Sequence, residues 1–258
     1  MPQPAQLDPS AFEADGGHVG VLLIHGFTGS VVETRPMGIY LAERGLTVRC
    51  PLLPGHGTRP EDLTRISWQA WADEVELALR DLQGRCDTVF VGGLSLGSLL
   101  TLWLGVEHPD IAGLIPIAPA IRVQTRLMPL ALPLRYLLKY HPLGPMGDDD
   151  LGDPQAVERG WSYDELPLWG ASEVYLLQRK VRRALSQIHQ PILLVQGRRD
   201  AHLHPRAAEE VYDAVASADR TLVWLEHSGH NLLIDGERES LWALSYDWMM
   251  GLLGGEAT

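Results

Sequence analysis

The chain has 258 residues, 45% of them hydrophobic, enough for one large α/β domain with a substantial core or for two small domains. Its 21 basic and 33 acidic residues leave a net charge of −12, which disfavours nucleic acid and anionic membrane surfaces as partners. Residues 1–10 lack a basic start followed by an apolar stretch and no run is long enough to cross a bilayer, so the expectation is a soluble, cytoplasmic protein without a signal peptide or transmembrane segment.

Short apolar runs alternate with helical patterns along the chain. Residues 19–24 read as the first strand and lead into His25-Gly26-Phe27-Thr28-Gly29. A second strand spans 46–50, and Pro54-Gly55-His56-Gly57 reads as a turn beyond it. Ser67 is placed to cap a helix whose apolar face is Trp68, Trp71, Val75, Leu79 and Leu82. Strands at 88–91 and 113–117 flank a helical stretch at 99–106. Further strands are expected at 192–196 and 221–225, a helix from Pro205 to about Ser217, and a last helix from about Glu237 with Leu241, Leu244, Trp248 and Leu252 on one side. Runs this short and this apolar suit parallel strands covered on both faces. The fold class is therefore α/β, a doubly wound and mostly parallel sheet.

Residues 121–186 break the rhythm. They are rich in Pro, Leu and Trp, carry the acidic run 148–150, and offer helical patterns at about 130–140 and 173–185 but no clear strand. An insertion after a strand end sits over the crevice where open α/β sheets bind ligands. The expected organisation is a core of residues 1–120 and 187–258 with a helical cap, or lid, at 121–186 whose apolar residues shape a pocket. Cys50 and Cys86 have no metal spacing and fall at opposite edges of the expected sheet, so no disulfide is expected between them.

Gly93-Leu94-Ser95-Leu96-Gly97 follows a strand and opens a helix, the setting in which G-x-S-x-G forms a tight turn that lifts a serine hydroxyl clear of the sheet. A serine nucleophile needs a base and an orienting acid on later loops, in that fold in the order serine, acid, histidine. Asp200 follows the strand at 192–196 and His230 the strand at 221–225, both toward the edge that carries Ser95. His227 is a rival base nearer its strand end, and Asp235 a rival acid that breaks the order. Asp200-x-His202-x-His204 is too small a set for a metal site and reads as loop residues. The N–H groups of Leu96 and Phe27 are the candidate oxyanion donors; His25 and His56 read as structural.

These motifs resemble the carboxylesterase and monoacylglycerol lipase family of bacterial α/β-hydrolases. The resemblance rests on His25-Gly26-Phe27-Thr28-Gly29, Gly55-His56-Gly57, Gly93-Leu94-Ser95-Leu96-Gly97, Asp200 and Ser228-Gly229-His230, and spans residues 19–249. It departs at Ser98, where the family often carries a glycine. It implies an α/β-hydrolase core with a small helical cap and hydrolysis of short- to medium-chain acyl esters, monoacylglycerols included. Ser95 would be nucleophile, His230 base and Asp200 acid, with Phe27 and Leu96 forming the oxyanion hole and no metal or organic cofactor. The partner implied is a small acyl ester; other chemistry on the same groups, such as amide or C–C bond hydrolysis or acyl transfer, and a non-catalytic receptor are the alternatives. Acyl length, the physiological alcohol, the lining residues of the pocket and the oligomeric state are left open by the sequence.

Overall fold

Val19–Ile24 is apolar throughout, and such a strand needs neighbours on both edges and cover on both faces. The computed structural model, which describes residues 7–142 and 151–254, supplies them. In chain order the elements are β1 (Phe12–Ala14), β2 (Val19–Ile24), α1 (Arg35–Ala42), β3 (Thr47–Cys50), α2 (Trp68–Gln83), β4 (Thr88–Leu94), α3 (Leu96–Glu107), β5 (Gly113–Ile117), α4 (Ala131–Leu134), β6 (Tyr140–Pro142), β7 (Glu165–Pro167), α5 (Leu168–Ala184), β8 (Ile192–Gly197), α6 (Ala207–Ala214), β9 (Arg220–Leu225) and α7 (Arg238–Gly254). The main sheet has seven strands in the order β1-β3-β2-β4-β5-β8-β9, and β1 alone runs antiparallel to its neighbour. The expected doubly wound, mostly parallel sheet is what the chain forms.

Register places the site. Ile24 pairs with Gly93, Leu94 with Ile117, Ile117 with Val195, and Gly197 with Leu225. The strands therefore end level, and the loops beginning at residues 25, 95, 118, 198 and 226 leave the sheet along one carboxyl edge. The core beneath is continuous from Val21 on β2 to Met249 on α7, with Trp71 and Phe90 among its largest fully buried side chains. Ser67 caps α2 as read, its Oγ accepting from the Ala70 N–H at 3.4 Å, and Trp71, Val75, Leu79 and Leu82 are buried beneath it while Trp68 is half-buried.

Several boundaries differ from the sequence reading. β4 runs on through Gly92 and Gly93 to Leu94, because a flat parallel strand tolerates glycine when both neighbours pair with it. The helical pattern at 130–140 yields only α4 after a 3₁₀ turn at Met128–Leu130, and Tyr140 opens β6, which pairs antiparallel with β7. Pro129 and Pro133 fit only the first turn of a helix, where no N–H is required, so neither can extend one. The pattern at 173–185 belongs to a longer helix, α5, that starts at Leu168. β1 and α1 went unread because each is short and weakly patterned. The run 148–150 lies outside the described residues. Cys50 and Cys86 are both free and buried, and burial pushes the Cys50 thiol up to about 12.

The start of α3 lies directly on the end of β2. A Cβ at Gly97 would overlap the Ile24 carbonyl oxygen and lie 2.7 Å from its carbon, so only glycine permits this approach. Backbone on both sides leaves no flexible side chain to yield. Gly97→Ala should therefore cost at least the 1–3 kcal/mol typical of overpacking and lower Tm by about 5–10 °C, measured by thermal unfolding. An unchanged Tm would mean that the helix is free to withdraw from β2.

Candidate active site

Ser95 sits in the turn between β4 and α3 with φ 54° and ψ −107°. A non-glycine residue adopts such a backbone only when its surroundings force it, at a cost of about 1–3 kcal/mol. Its N–H donates to Ile117 O at 3.0 Å, and the Ser98 hydroxyl donates to the Ser95 carbonyl at 2.5 Å. Ser98 also accepts from the Ala120 N–H at 3.1 Å, so the serine that stands in place of a glycine ties the turn to the loop beyond β5.

Asp200 and His230 meet as the sequence order requires. Asp200 Oδ2 lies 2.8 Å from His230 Nδ1, the side chains being 3% and 16% exposed. The same carboxylate accepts from Gln196 Nε2 at 2.7 Å and from the N–H groups of His202 at 2.8 Å and Leu203 at 3.0 Å. Burial alone would push the Asp200 carboxyl up; the His230 ring, its hydrogen bond and the Leu203 and Gln196 donors outweigh it and hold the carboxyl well below the usual carboxylate range. His202 is exposed with its ring 4.9 Å from that of His230, and His204 Nδ1 accepts from the Arg206 N–H. Both belong to the turn that carries Asp200.

The rivals fall elsewhere. The His227 side chain is exposed, and its N–H donates to Glu237 Oε2 at 2.9 Å. Asp235 is fully buried and accepts from the N–H groups of Gly152 at 2.7 Å, Asp153 at 2.8 Å and Gly229 at 2.7 Å. It is a clamp that fastens the loop bearing His230 to the segment at 151–153.

The glycine-rich loop after β2 rests on a buried histidine. Leu53 N–H donates to His25 Nε2 at 3.0 Å, which leaves the ring proton on Nδ1, 2.8 Å from Gly26 O. His56 packs edge-on against His25 and Trp71, with centroids 5.0 and 5.6 Å apart, and Phe27 lies over His56. Thr28 has φ 65°, its carbonyl accepts from the Tyr163 N–H at 3.1 Å, and its hydroxyl bonds to Ser162 Oγ at 3.0 Å. Glu33, which sequence reasoning missed, is 4% exposed and accepts from the Gly26 N–H at 2.8 Å and from Asn231 Nδ2 at 3.0 Å. A Cβ at Gly29 would overlap the Glu33 carboxylate, so a larger residue there would displace that side chain.

Ser95, Leu96, Phe27 and His230 all line one cavity of about 660 Å³. Much of its remaining wall is apolar and comes from the interval between β5 and β8, with Leu127, Met128, Leu134, Leu138, Leu168 and Val174. No helix of the described residues is long and apolar enough to cross a membrane.

Burial lowers the His25 pKa to about 4, against the opposing pull of its bond to Gly26, and burial together with nearby His25 puts His56 well below its ordinary value. The unfolded chain then binds more protons than the folded one between about pH 6.5 and 4, so these histidines stabilise the fold fully above that window and progressively less as pH falls through it. For His25 the loss is about 3 kcal/mol. Urea unfolding of the wild type should weaken steeply from pH 6.5 to 4.5, and His25→Gln should flatten that dependence by about 1 kcal/mol per pH unit. Equal slopes in the two proteins would show that His25 titrates alike in the folded and the unfolded chain.

The family described as serine aminopeptidase, S33 (Hydrolase_4), matches residues 18–237. A thermostable monoacylglycerol lipase from Bacillus sp. (strain H-257) is 35% identical over 228 residues, which cover 87% of each chain. A carboxylesterase from Bacillus subtilis (strain 168) is 29% identical over 242 residues, 93% of this chain and 96% of the relative. A solved structure from work on the metagenome-derived lipolytic enzymes LipS and LipT superimposes with a TM-score of 0.85 at 29% identity, covering 94% of this chain and 98% of that one. The chain belongs to this serine hydrolase family, as a carboxylic ester hydrolase on the α/β-hydrolase fold.

Proposed function

We propose that the chain cleaves short- to medium-chain acyl esters, monoacylglycerols among them, through an acyl-enzyme on Ser95. The observation that carries this reading is the 2.8 Å Asp200–His230 pair opening, with a strained Ser95, into one largely apolar cavity. With Nδ1 of His230 held by Asp200, Nε2 takes the proton of Ser95 as Oγ attacks the ester carbonyl. The N–H groups of Phe27 and Leu96, given no acceptor among the described residues, receive the oxyanion. The imidazolium then gives its proton to the departing alcohol, and water activated by the same ring releases the acid.

The family description names peptide chemistry, which makes amide hydrolysis the second reading. An aminopeptidase must hold the substrate's ammonium group. The carboxylate among the described lining residues is Glu33, and both its oxygens accept hydrogen bonds within the protein. p-Nitrophenyl esters should therefore be turned over far faster than amino-acid p-nitroanilides, and the reverse ranking would favour the peptidase.

Ser95→Ala should lose on the order of 10⁴ to 10⁶ in kcat while keeping its Tm. His230→Ala should be comparably inactive, and His227→Ala should retain turnover, since its ring faces solvent. An active, folded Ser95→Ala protein would end the acyl-enzyme proposal, and an inactive His227→Ala beside an active His230→Ala would reassign the base.

The interval 121–186 acts as a cap that sets acyl length. Apolar pockets discriminate one methylene by about 1–3 kcal/mol, so Met128→Ala or Leu134→Ala should shift the preferred ester between acetate and laurate by modest factors. A chain-length profile unmoved by such changes would place the acyl pocket in the core loops instead.

A further inference from the structure

Glu33 stands apart among the buried groups at the carboxyl edge, because ester hydrolysis as proposed gives it no task. A carboxylate that is 4% exposed is costly unless specific donors hold it. Its two described donors come from the two halves of the site. Oε2 takes the N–H of Gly26, the residue before Phe27, and Oε1 takes the side-chain amide of Asn231, the residue after His230. Gly29 leaves the space in which the carboxylate lies. Glu33 also reaches the cavity wall beside Ser95 and His230.

We propose that Glu33 is a positioning residue: its buried carboxylate clamps the loop that presents the Phe27 N–H to the loop that carries His230. The proposal rests on the acyl-enzyme reading above. The Gly26 N–H held by Glu33 fixes the turn from which the next N–H, that of Phe27, must meet the oxyanion. The Asn231 contact fixes the distance between that donor and the proposed base. Neither bond touches the acyl group, so the clamp serves the tetrahedral state and not substrate capture.

Three measurements on the full chain test it: kcat and KM on p-nitrophenyl butyrate, the inhibition constant of an alkyl trifluoromethyl ketone, and thermal unfolding. The ketone carbon accepts Ser95 Oγ and leaves its oxygen as an oxyanion in the same hole, so it reads the tetrahedral state directly. Glu33→Ala should lose on the order of 10² in kcat with KM changed less than about threefold, the scale of one displaced oxyanion donor. Its ketone inhibition constant should rise in parallel. Glu33→Gln should recover most of the loss: it keeps an oxygen for Gly26, and Asn231, whose Oδ1 has no partner among the described residues, has that oxygen to turn toward the new amide.

A folded Glu33→Ala protein with wild-type kcat overturns the clamp, as does a lowered kcat with unchanged ketone affinity. Should Glu33→Ala fail to fold, Asn231→Ala breaks the same bridge from the other loop. A fall in its kcat and ketone affinity supports the clamp, and wild-type values overturn it. Failure of the underlying reading looks different, because the wild type would then turn over no ester and form no adduct with the ketone.

Discussion

Each loop at the carboxyl edge arrives with backbone N–H groups that no ladder pairs, and a buried edge obliges the chain to supply acceptors for them. Backbone carbonyls such as Ile117 O take some of them, and three carboxylates take others. Asp200 gathers the N–H groups of its own turn and orients His230. Asp235 gathers Gly152, Asp153 and Gly229, binding segments 83 residues apart. Glu33 joins loops 198 residues apart. Hydrogen bonds to an ionised acceptor are about twice as strong as neutral ones. The Asp200–His230 pair follows from this requirement, while Ser95 is held by Ile117 O and the Ser98 hydroxyl.

Beneath the anions lies a neutral, rigid floor. His25 has both ring nitrogens committed to backbone, Phe27, His56 and Trp71 pack ring on ring, and Trp71 Nε1 donates to Pro54 O at 3.0 Å. A histidine serves here because one nitrogen donates and the other accepts, so a single side chain joins the loop after β2 to the loop after β3. The arrangement works only with the ring uncharged, and burial ensures that. An apolar side chain at residue 25 would leave Leu53 N–H and Gly26 O unpaired, and a lysine could not accept.

The proposed nucleophile, acid and base were legible because their constraints are local. A serine between glycines after an apolar run, and an acid and a histidine each a few residues past a later strand, are signatures of strand-to-turn geometry. Asp200 and His230 were placed by strand ends that the apolar runs at 192–196 and 221–225 mark. Glu33 and Asp235 were not legible as clamps, since their partners Asn231 and Gly152 lie far away in sequence and nothing in local pattern announces such pairings. Asp235 drew notice only as a rival acid. The region at 121–186 was readable as an interruption and not as α4 and the antiparallel pair β6 and β7, because three- and four-residue elements carry no period to detect.

That region is fastened at its root and loose in composition at its tip. Polar bonds anchor it to the core: Gln178 Nε2 on α5 donates to Ala120 O at 2.6 Å, Tyr163 OH to Gly55 O at 2.9 Å, and Gly152 N–H to Asp235. Ala120 in turn donates to Ser98, which holds the Ser95 carbonyl, so α5 and the proposed nucleophile share one chain of hydrogen bonds. Gly170 at the start of α5 lies against the Phe27 ring with no room for a Cβ. The stretch at 127–138 is tied to α5 through Arg135, whose guanidinium donates to Ser172 Oγ and Glu173 Oε1 at 2.9 Å, and it leaves Leu127 67% and Leu137 80% exposed, with Leu127 at the cavity wall. Under the proposed mechanism, polar bonds hold this insertion against the loops of Ser95 and His230, while its apolar side chains line the cavity and can change without disturbing those bonds. The wall proposed to choose the acyl group is thereby separate from the loops proposed to cleave the bond, which is why that wall is the least pattern-bound stretch of the chain.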